Sequence, residues 1–276
     1  AQGCFSMPGG KGLNQALAVS RLDLDACLIA KVGKDYEGRT ISAFLKGSHV
    51  ILDGVTVAEN APTGKAYIFT QSDAESSISV LKGANALLTE EDIATQEQLF
   101  KGASYCLLQT EIDVSVVECA MDIAHRNGVK TILKPCVVDT LPPQVIQKAD
   151  ILIPNQKEAA KLLPELRSVE EQASRFYQSG AKNVIITLGS KGCFWFDGTT
   201  GRYFPAANFE AVDTTGAADA FIAALSVSLS NGRDMDVSIR YATAAAGLST
   251  MRYGFSAAAT DKTTLELYCA KEGVLL

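Results

Sequence analysis

The sequence predicts an α/β fold, a doubly wound and mostly parallel central sheet with helices on both faces and a small β lid. Three observations carry this expectation. From Thr89 onward, short runs rich in Leu, Ile and Val alternate with amphipathic helical patterns, as in a parallel sheet buried on both faces. Between residues 65 and 81 the period changes to that of a hairpin, which in such a chain belongs to a lid or flanking sheet. Two turns of small residues, at 9–12 and 213–220, each open onto an apolar helix.

In chain order, Gly9-Gly10-Lys11-Gly12 precedes a helix with an apolar face of Leu13, Ala16, Leu17, Ala18, Val19 and Leu22. Residues 26–32 read as a strand, Gly33-Lys34-Asp35 as a turn and 37–46 as a helix. Pro62-Thr63-Gly64 leads into strand 65–70, the turn Gln71-Ser72-Asp73 and a returning strand 76–81. The alternation then runs helix 89–99, strand 104–109, helix 113–127, strand 130–134, strand 150–153, helices 155–163 and 168–179, and strand 183–188. A second hairpin, 193–196 with 202–205, turns at Asp197-Gly198. Helices 216–230 and 236–250 close the domain, and 261–271 is a surface helix. No repeat or linker divides the chain, so one domain over 1–276 is expected, its lid drawn from around 1–8 and 62–82.

Composition narrows the function. With 276 residues, 47% hydrophobic and 20% charged, the chain is long enough for one large α/β core. A net charge of −6 and pI near 5.1 give no footprint for nucleic acid or anionic membrane, and no apolar run is long enough to span a bilayer. Seven scattered cysteines without CxxC spacing read as reduced thiols of a cytoplasmic protein. His49 and His125 lack metal-ligand spacing and read as solvated or helix-end residues. A small-molecule function is the expectation.

In a doubly wound sheet, ligands bind beyond the carboxyl ends of the strands. The polar residues there are Gln109 and Glu111, Asn155 and Glu158, and Thr187 with Gly189 and Gly192. The stretch Asp213-Thr214-Thr215-Gly216-Ala217-Ala218-Asp219-Ala220 opens a helix whose free NH groups and dipole favour an anion. Asp219, in its first turn, either caps the helix or takes a proton from a group beside that anion. Lys11 and Asn14 project into the gap left by the glycines at 9–12, which lack the spacing of a Walker A loop.

These segments resemble the ribokinase-like (PfkB-type) carbohydrate kinases. Gly9-Gly10-Lys11-Gly12-Leu13-Asn14-Gln15-Ala16 is similar to that family's first signature, and residues 213–219 to its second. Gly33-Lys34-Asp35, Pro62-Thr63-Gly64, Gly83-Ala84-Asn85, Gln109-Thr110-Glu111, Asn155-Gln156-Lys157-Glu158 and Gly189-Ser190-Lys191-Gly192 fall between them in the family's order. The resemblance implies transfer of the ATP γ-phosphate to a primary hydroxyl of a small sugar, ribose first, with fructose, ketodeoxygluconate or pseudouridine as alternatives. It implies Asp219 as the general base and Gly216, Ala217 and Ala218 as the anion hole. Sugar binding falls to Gly10, Lys11, Asn14 and Glu111, and nucleotide binding to Asn155, Thr187, Gly189, Gly192 and Thr243. Asn155 and Glu158 would hold Mg²⁺ through water, and Asp213, Thr215, Arg252 and Gly254 a monovalent cation, K⁺. A homodimer formed through the lid is expected.

Three departures qualify the resemblance. Ala218 stands where the family has Gly, so a reshaped anion hole is expected. Lys134-Pro135-Cys136 replaces an Asn-Pro after its strand, which leaves the sugar open. The chain begins at Ala1-Gln2-Gly3-Cys4 without Met, and the family's first strand has no counterpart before Gly9. A shortened chain, or a catalytically weak binding relative, is the expectation from that start.

Overall fold

The computed structural model describes residues 6–70, 76–136, 138–255 and 259–274. Residues 1–5 of the expected lid, with Cys4, and the turn at 71–73 lie outside them. The chain runs α1 (Lys11–Arg21), β1 (Ala26–Cys27), β2 (Ala30–Gly33), α2 (Tyr36–Lys46), β3 (Val50–Ile51), β4 (Val55–Ala58) and the hairpin β5 (Lys65–Thr70) with β6 (Ser76–Leu81). It continues α3 (Glu90–Ala94), β7 (Tyr105–Gln109), α4 (Val114–Arg126), β8 (Lys130–Lys134), α5 (Pro143–Gln147), β9 (Ile151–Leu152), α6 (Gln156–Leu162), α7 (Val169–Gln178) and β10 (Val184–Thr187). The hairpin β11 (Cys193–Phe196) and β12 (Gly201–Phe204), then α8 (Ala217–Ser230), α9 (Met235–Ser249) and α10 (Lys262–Lys271), complete it.

The six-stranded sheet has the order β12-β11-β10-β9-β8-β7. Strands β7 to β10 are mutually parallel, and the antiparallel hairpin β11–β12 extends one side. Alternating side chains divide the core between the two faces, because successive residues of a strand point oppositely. Ile132, Ile151 and Ile185 pack with Phe221, Ile222 and Leu225 of α8 and Ile239 of α9. Their neighbours Leu133, Leu152, Val184 and Ile186 pack with Met121 of α4, Ala159 of α6 and Phe176 of α7. Truncating one of these buried Ile or Leu side chains to Ala costs about 2–5 kcal/mol. Helix α8 is apolar nearly all round because it lies inside, between the sheet, α1 and α9.

Three expectations change in detail. The strand expected at 26–32 is two short strands, each pairing in parallel with one the sequence reading passed over, β1 with β3 and β2 with β4. Runs of two to four residues are too short to show a period. The helix expected at 89–99 is α3, opened by a Thr89–Asp92 capping box, followed by a separate 3₁₀ turn at Glu97–Phe100. Helix α5 starts on Pro142-Pro143, which reads as loop, although Pro is well suited to a first helical turn. Among the described residues the cysteines are unpaired and no helix is long and apolar enough to cross a membrane.

Candidate active site

Two helix starts meet at one carboxylate. Helix α1 opens on Gly10, where added side chains at Gly9 or Gly10 would meet nothing within 4 Å, so this backbone borders open space. Helix α8 opens on Gly216 with φ 81, a left-handed conformation that L side chains rarely adopt. A Cβ there would also lie 2.2 Å from the Phe255 ring, so this turn requires glycine twice over. Asp219, in the first turn of α8, is 5% exposed and faces α1. Asn14 donates its side-chain amide to Asp219 Oδ2 at 2.9 Å and Gln15 donates to Oδ1 at 2.9 Å. Gln109, at the carboxyl end of β7, donates to Gln15 Oε1 at 2.7 Å and fixes which end of that amide faces Asp219.

Burial pushes the Asp219 pKa above the ordinary carboxylate range, against the opposing pull of Asn14, Lys11, Gln15 and Lys134. The carboxylate is thus held in place while remaining a better base than an exposed one. Lys11 lies 3.6 Å from Glu111, so these two expected sugar-binding residues come together. Burial pulls the Lys11 pKa down, but Glu111, Asp219 and Cys136 outweigh it and the net shift is upward, keeping the ammonium charged. The loops after β7 and β8 are tied by Thr110, whose hydroxyl donates to Cys136 O at 2.6 Å and accepts from its NH at 2.7 Å. Burial pushes the Cys136 thiol up to about 11, so it stays protonated at neutral pH.

The anion cradle differs slightly from expectation. Ala217 donates its NH to Thr214 O at 3.2 Å within the turn, whereas the NH groups of Gly216, Ala218 and Asp219 have no backbone acceptor among the described residues. Ala218 lies inside helix α8, in a conformation that alanine adopts more readily than glycine. Its methyl group, from which the sequence reading expects a reshaped anion hole, thus sits on ordinary helical backbone.

Asn155 and Glu158 are adjacent, but as a helix cap. Asn155 Oδ1 accepts the Glu158 NH at 2.8 Å and Glu158 Oε2 accepts the Asn155 NH at 2.7 Å. The ammonium of Lys134, at the end of β8, donates to that same Oε2. A hard dication takes several oxygen ligands, and one carboxylate already neutralised by a neighbouring ammonium is a poor anchor for it. As arranged, the pair does not fit the Mg²⁺ site expected of it. Thr187 lies beside Asn155, the two forming a parallel bridge, with the Thr187 NH donating to Pro154 O at 3.0 Å. Gly189 borders open space, whereas a Cβ at Gly192 would meet Phe204 O at 1.9 Å, so Gly192 lets the turn close on β12. The Thr243 hydroxyl bonds back to Ile239 O and Arg240 O, each at 2.9 Å, so its proton is used within α9.

Asp213 gathers the expected cation loop. Its Oδ1 accepts the Thr215 NH at 2.9 Å and its Oδ2 the Gly254 NH at 3.1 Å. Burial alone would raise the Asp213 pKa, but these NH groups outweigh it and the net shift is downward, so the site carries a fixed negative charge. Arg252 is exposed on the same loop. Carboxylate and backbone oxygens there fit a monovalent cation by type. Sequence reasoning assigned no role to Gln15 or Lys134. The available signals were a glutamine on an otherwise apolar helix face and a lysine closing an apolar strand.

A buried carboxylate at a helix start, a glycine-opened helix beside it and cationic side chains at the carboxyl ends of a ribokinase-like sheet define a carbohydrate kinase, a phosphotransferase acting on an alcohol group. Residues 5–262 match the pattern of the pfkB family carbohydrate kinases, and the chain belongs to that family. It is 34% identical over 271 residues to the ribokinase of Schizosaccharomyces pombe, covering 94% of this chain and 85% of that one. Among solved structures, Thermotoga maritima ribokinase is similar with a TM-score of 0.87 and 29% identity, over 96% of this chain and 88% of that one. Arabidopsis thaliana ribokinase complexed with ribose and ATP is similar with a TM-score of 0.85 and 30% identity, over 94% and 86%.

Proposed function

We propose that the protein is an ATP-dependent kinase that transfers the γ-phosphate to the primary hydroxyl of a small sugar, D-ribose before fructose, ketodeoxygluconate or pseudouridine. The pose of Asp219 carries this reading. A carboxylate has about four lone-pair positions, and Asn14 and Gln15 take two, leaving others for a hydroxyl proton. As the sugar oxygen attacks the γ-phosphorus, its proton passes to Asp219 and the bond to the ADP oxygen breaks. The NH groups of Gly216, Ala218 and Asp219 and the positive ends of α1 and α8 face the charge that spreads over the transferring group.

Gly10, Lys11, Asn14 and Glu111 bind the sugar hydroxyls, and polar groups set to pair with each hydroxyl reject analogues that lack it. Thr187, Gly189 and Gly192 line the path of the nucleotide phosphates and ribose, and Thr243 packs near the base. Mg²⁺ enters with ATP as part of the substrate. Asp213, Thr215, Gly254 and Arg252 form a site for K⁺ behind the cradle. The domain works in the cytoplasm as a homodimer, with exposed Tyr67, Ile68, Val80 and Leu81 of the β5–β6 hairpin as the apolar lid surface supporting that contact. The similarity to a ribokinase complexed with ribose and ATP supports the choice of substrates.

The test is ADP release by the purified protein with ATP, Mg²⁺ and K⁺ over a panel of these sugars. Ribose is expected to give the highest kcat/KM, and omission of K⁺ to lower the rate. Equal, background-level ADP release with every sugar overturns the reading.

A further inference from the structure

Strand β8 passes through the core as Thr131, Ile132 and Leu133 and then ends on Lys134, which is only 4% exposed. Burying an ammonium is costly unless it is paired. Glu158 supplies the pair, and that carboxylate is itself fixed by the Asn155 NH and by the first turn of α6. The same ammonium lies close enough to Asp219 and to Cys136 to act on both electrostatically. Lys134 therefore lies between the Asn155–Glu158 cap and the carboxylate at the start of α8.

We propose that Lys134 is the site's resident cation: held by Glu158, its ammonium contacts the transferring phosphoryl oxygens and fills the position at which that carboxylate would otherwise recruit a free divalent ion. The contact with phosphoryl oxygens rests on the kinase reading above; the exclusion of a divalent ion from Glu158 does not. A lysine acts here as a point charge on a flexible stem, suited to following a group that moves. The metal requirement is then met by the ion that arrives on ATP.

The experiment combines Mn²⁺ titration of the full chain without nucleotide, followed by electron paramagnetic resonance, with kinetics on the same variants. Wild type and Lys134→Arg are expected to leave Mn²⁺ free. Lys134→Met is expected to bind one Mn²⁺, displaced by Mg²⁺ and abolished by adding Glu158→Gln. In turnover, Lys134→Met is expected to lose about 100-fold in kcat with KM for ribose nearly unchanged, while Lys134→Arg keeps most of the rate. Lys134→Gln, which can still hydrogen-bond Glu158, replaces the Met variant if circular dichroism shows that variant unfolded. Mn²⁺ binding by wild type that is lost in Glu158→Gln, or full kcat in the folded charge-removal variant, overturns the proposal. If wild type phosphorylates no sugar, the kinase reading fails and with it the phosphoryl contact, while the Mn²⁺ titration still decides whether Lys134 fills the cation position.

Discussion

Asp150 and Asp219 are buried carboxylates at opposite ends of the same sheet, and the fold treats them differently. Asp150 precedes β9, at the amino ends of the strands. It accepts from the Thr131 NH at 2.8 Å and from Lys182 Nζ at 2.6 Å, with His125 Nε2 at 3.1 Å. Burial alone would raise its pKa, but Lys182, the Thr131 NH and His125 outweigh it, and the net shift is downward. Asp219, at the carboxyl ends, receives two neutral amides and more distant lysines, and burial wins. The ion pair and backbone donor at Asp150 make an anion that joins α4, β8 and β9. The neutral amides at Asp219 make an anion that can still accept a proton. Asp219 is the more deeply buried of the two and lacks a direct ion pair, so burial and partners together decide which carboxylate stays firmly ionised and which takes up a proton more readily.

Exchanging either acid for its amide should separate the two roles. Asp219→Asn is expected to lower kcat by about 10²–10⁴-fold while nucleotide binding persists, measured by ADP release and calorimetry. The acid limb of the wild-type pH–rate profile should lie above the ordinary carboxylate value of about 3.9, because activity requires the ionised form and its pKa is raised. The raised pKa also means that the folded state binds the proton more tightly, so this group's contribution to stability falls as pH rises through that window.

Asp150→Asn should do the reverse, costing about 2 kcal/mol of stability in denaturant unfolding and leaving kcat of the folded protein unchanged. Because the Asp150 pKa is lowered, its stabilisation is complete above the ordinary carboxylate value and is lost as pH falls through the folded-state value. A large loss of kcat in this variant would remove the distinction between the two ends.

Gln15→Leu has a smaller effect, about tenfold in kcat. It removes a donor that lowers the Asp219 pKa, so the acid limb should move to higher pH. A purely structural role for Gln15 would leave that limb in place. The smallest change is Ala218→Gly, expected to cost about 0.5–1 kcal/mol of stability, because glycine is the poorer helix former, and to leave kcat within a few-fold. A large gain in rate would mean that the methyl group does obstruct the cradle.

Much of the sheet was legible because long, regular patterns survive tertiary contact. Strand 130–134 and the hairpin at 65–70 and 76–81 lie where the sequence places them, and the helices expected at 113–127 and 216–230 are within a residue at each end. Strands β3 and β4 and helix α5 were not legible, since four residues or fewer show no period and a double proline reads as loop. At the site, Gly10, Lys11, Asn14 and Asp219 were legible as small-residue turns opening helices with polar groups alongside. Gln15 and Lys134 were not, because a polar residue on an apolar element announces burial without naming its partner.

The sequence alone determined the α/β alternation, the two glycine-opened helix starts and the identity of the acid at the second of them. These depend on local period, on backbone freedom at glycine and on the unpaired NH groups of a first helical turn. Only the tertiary structure decided that Asn14 and Gln15, 205 and 204 positions away, grip Asp219. It alone brought the Lys134 ammonium to the carboxylate of the Asn155–Glu158 cap, a cap that is itself local to the chain. The physical reason is that a charge's behaviour depends on its solvation and its neighbours, and both are set by how distant segments pack.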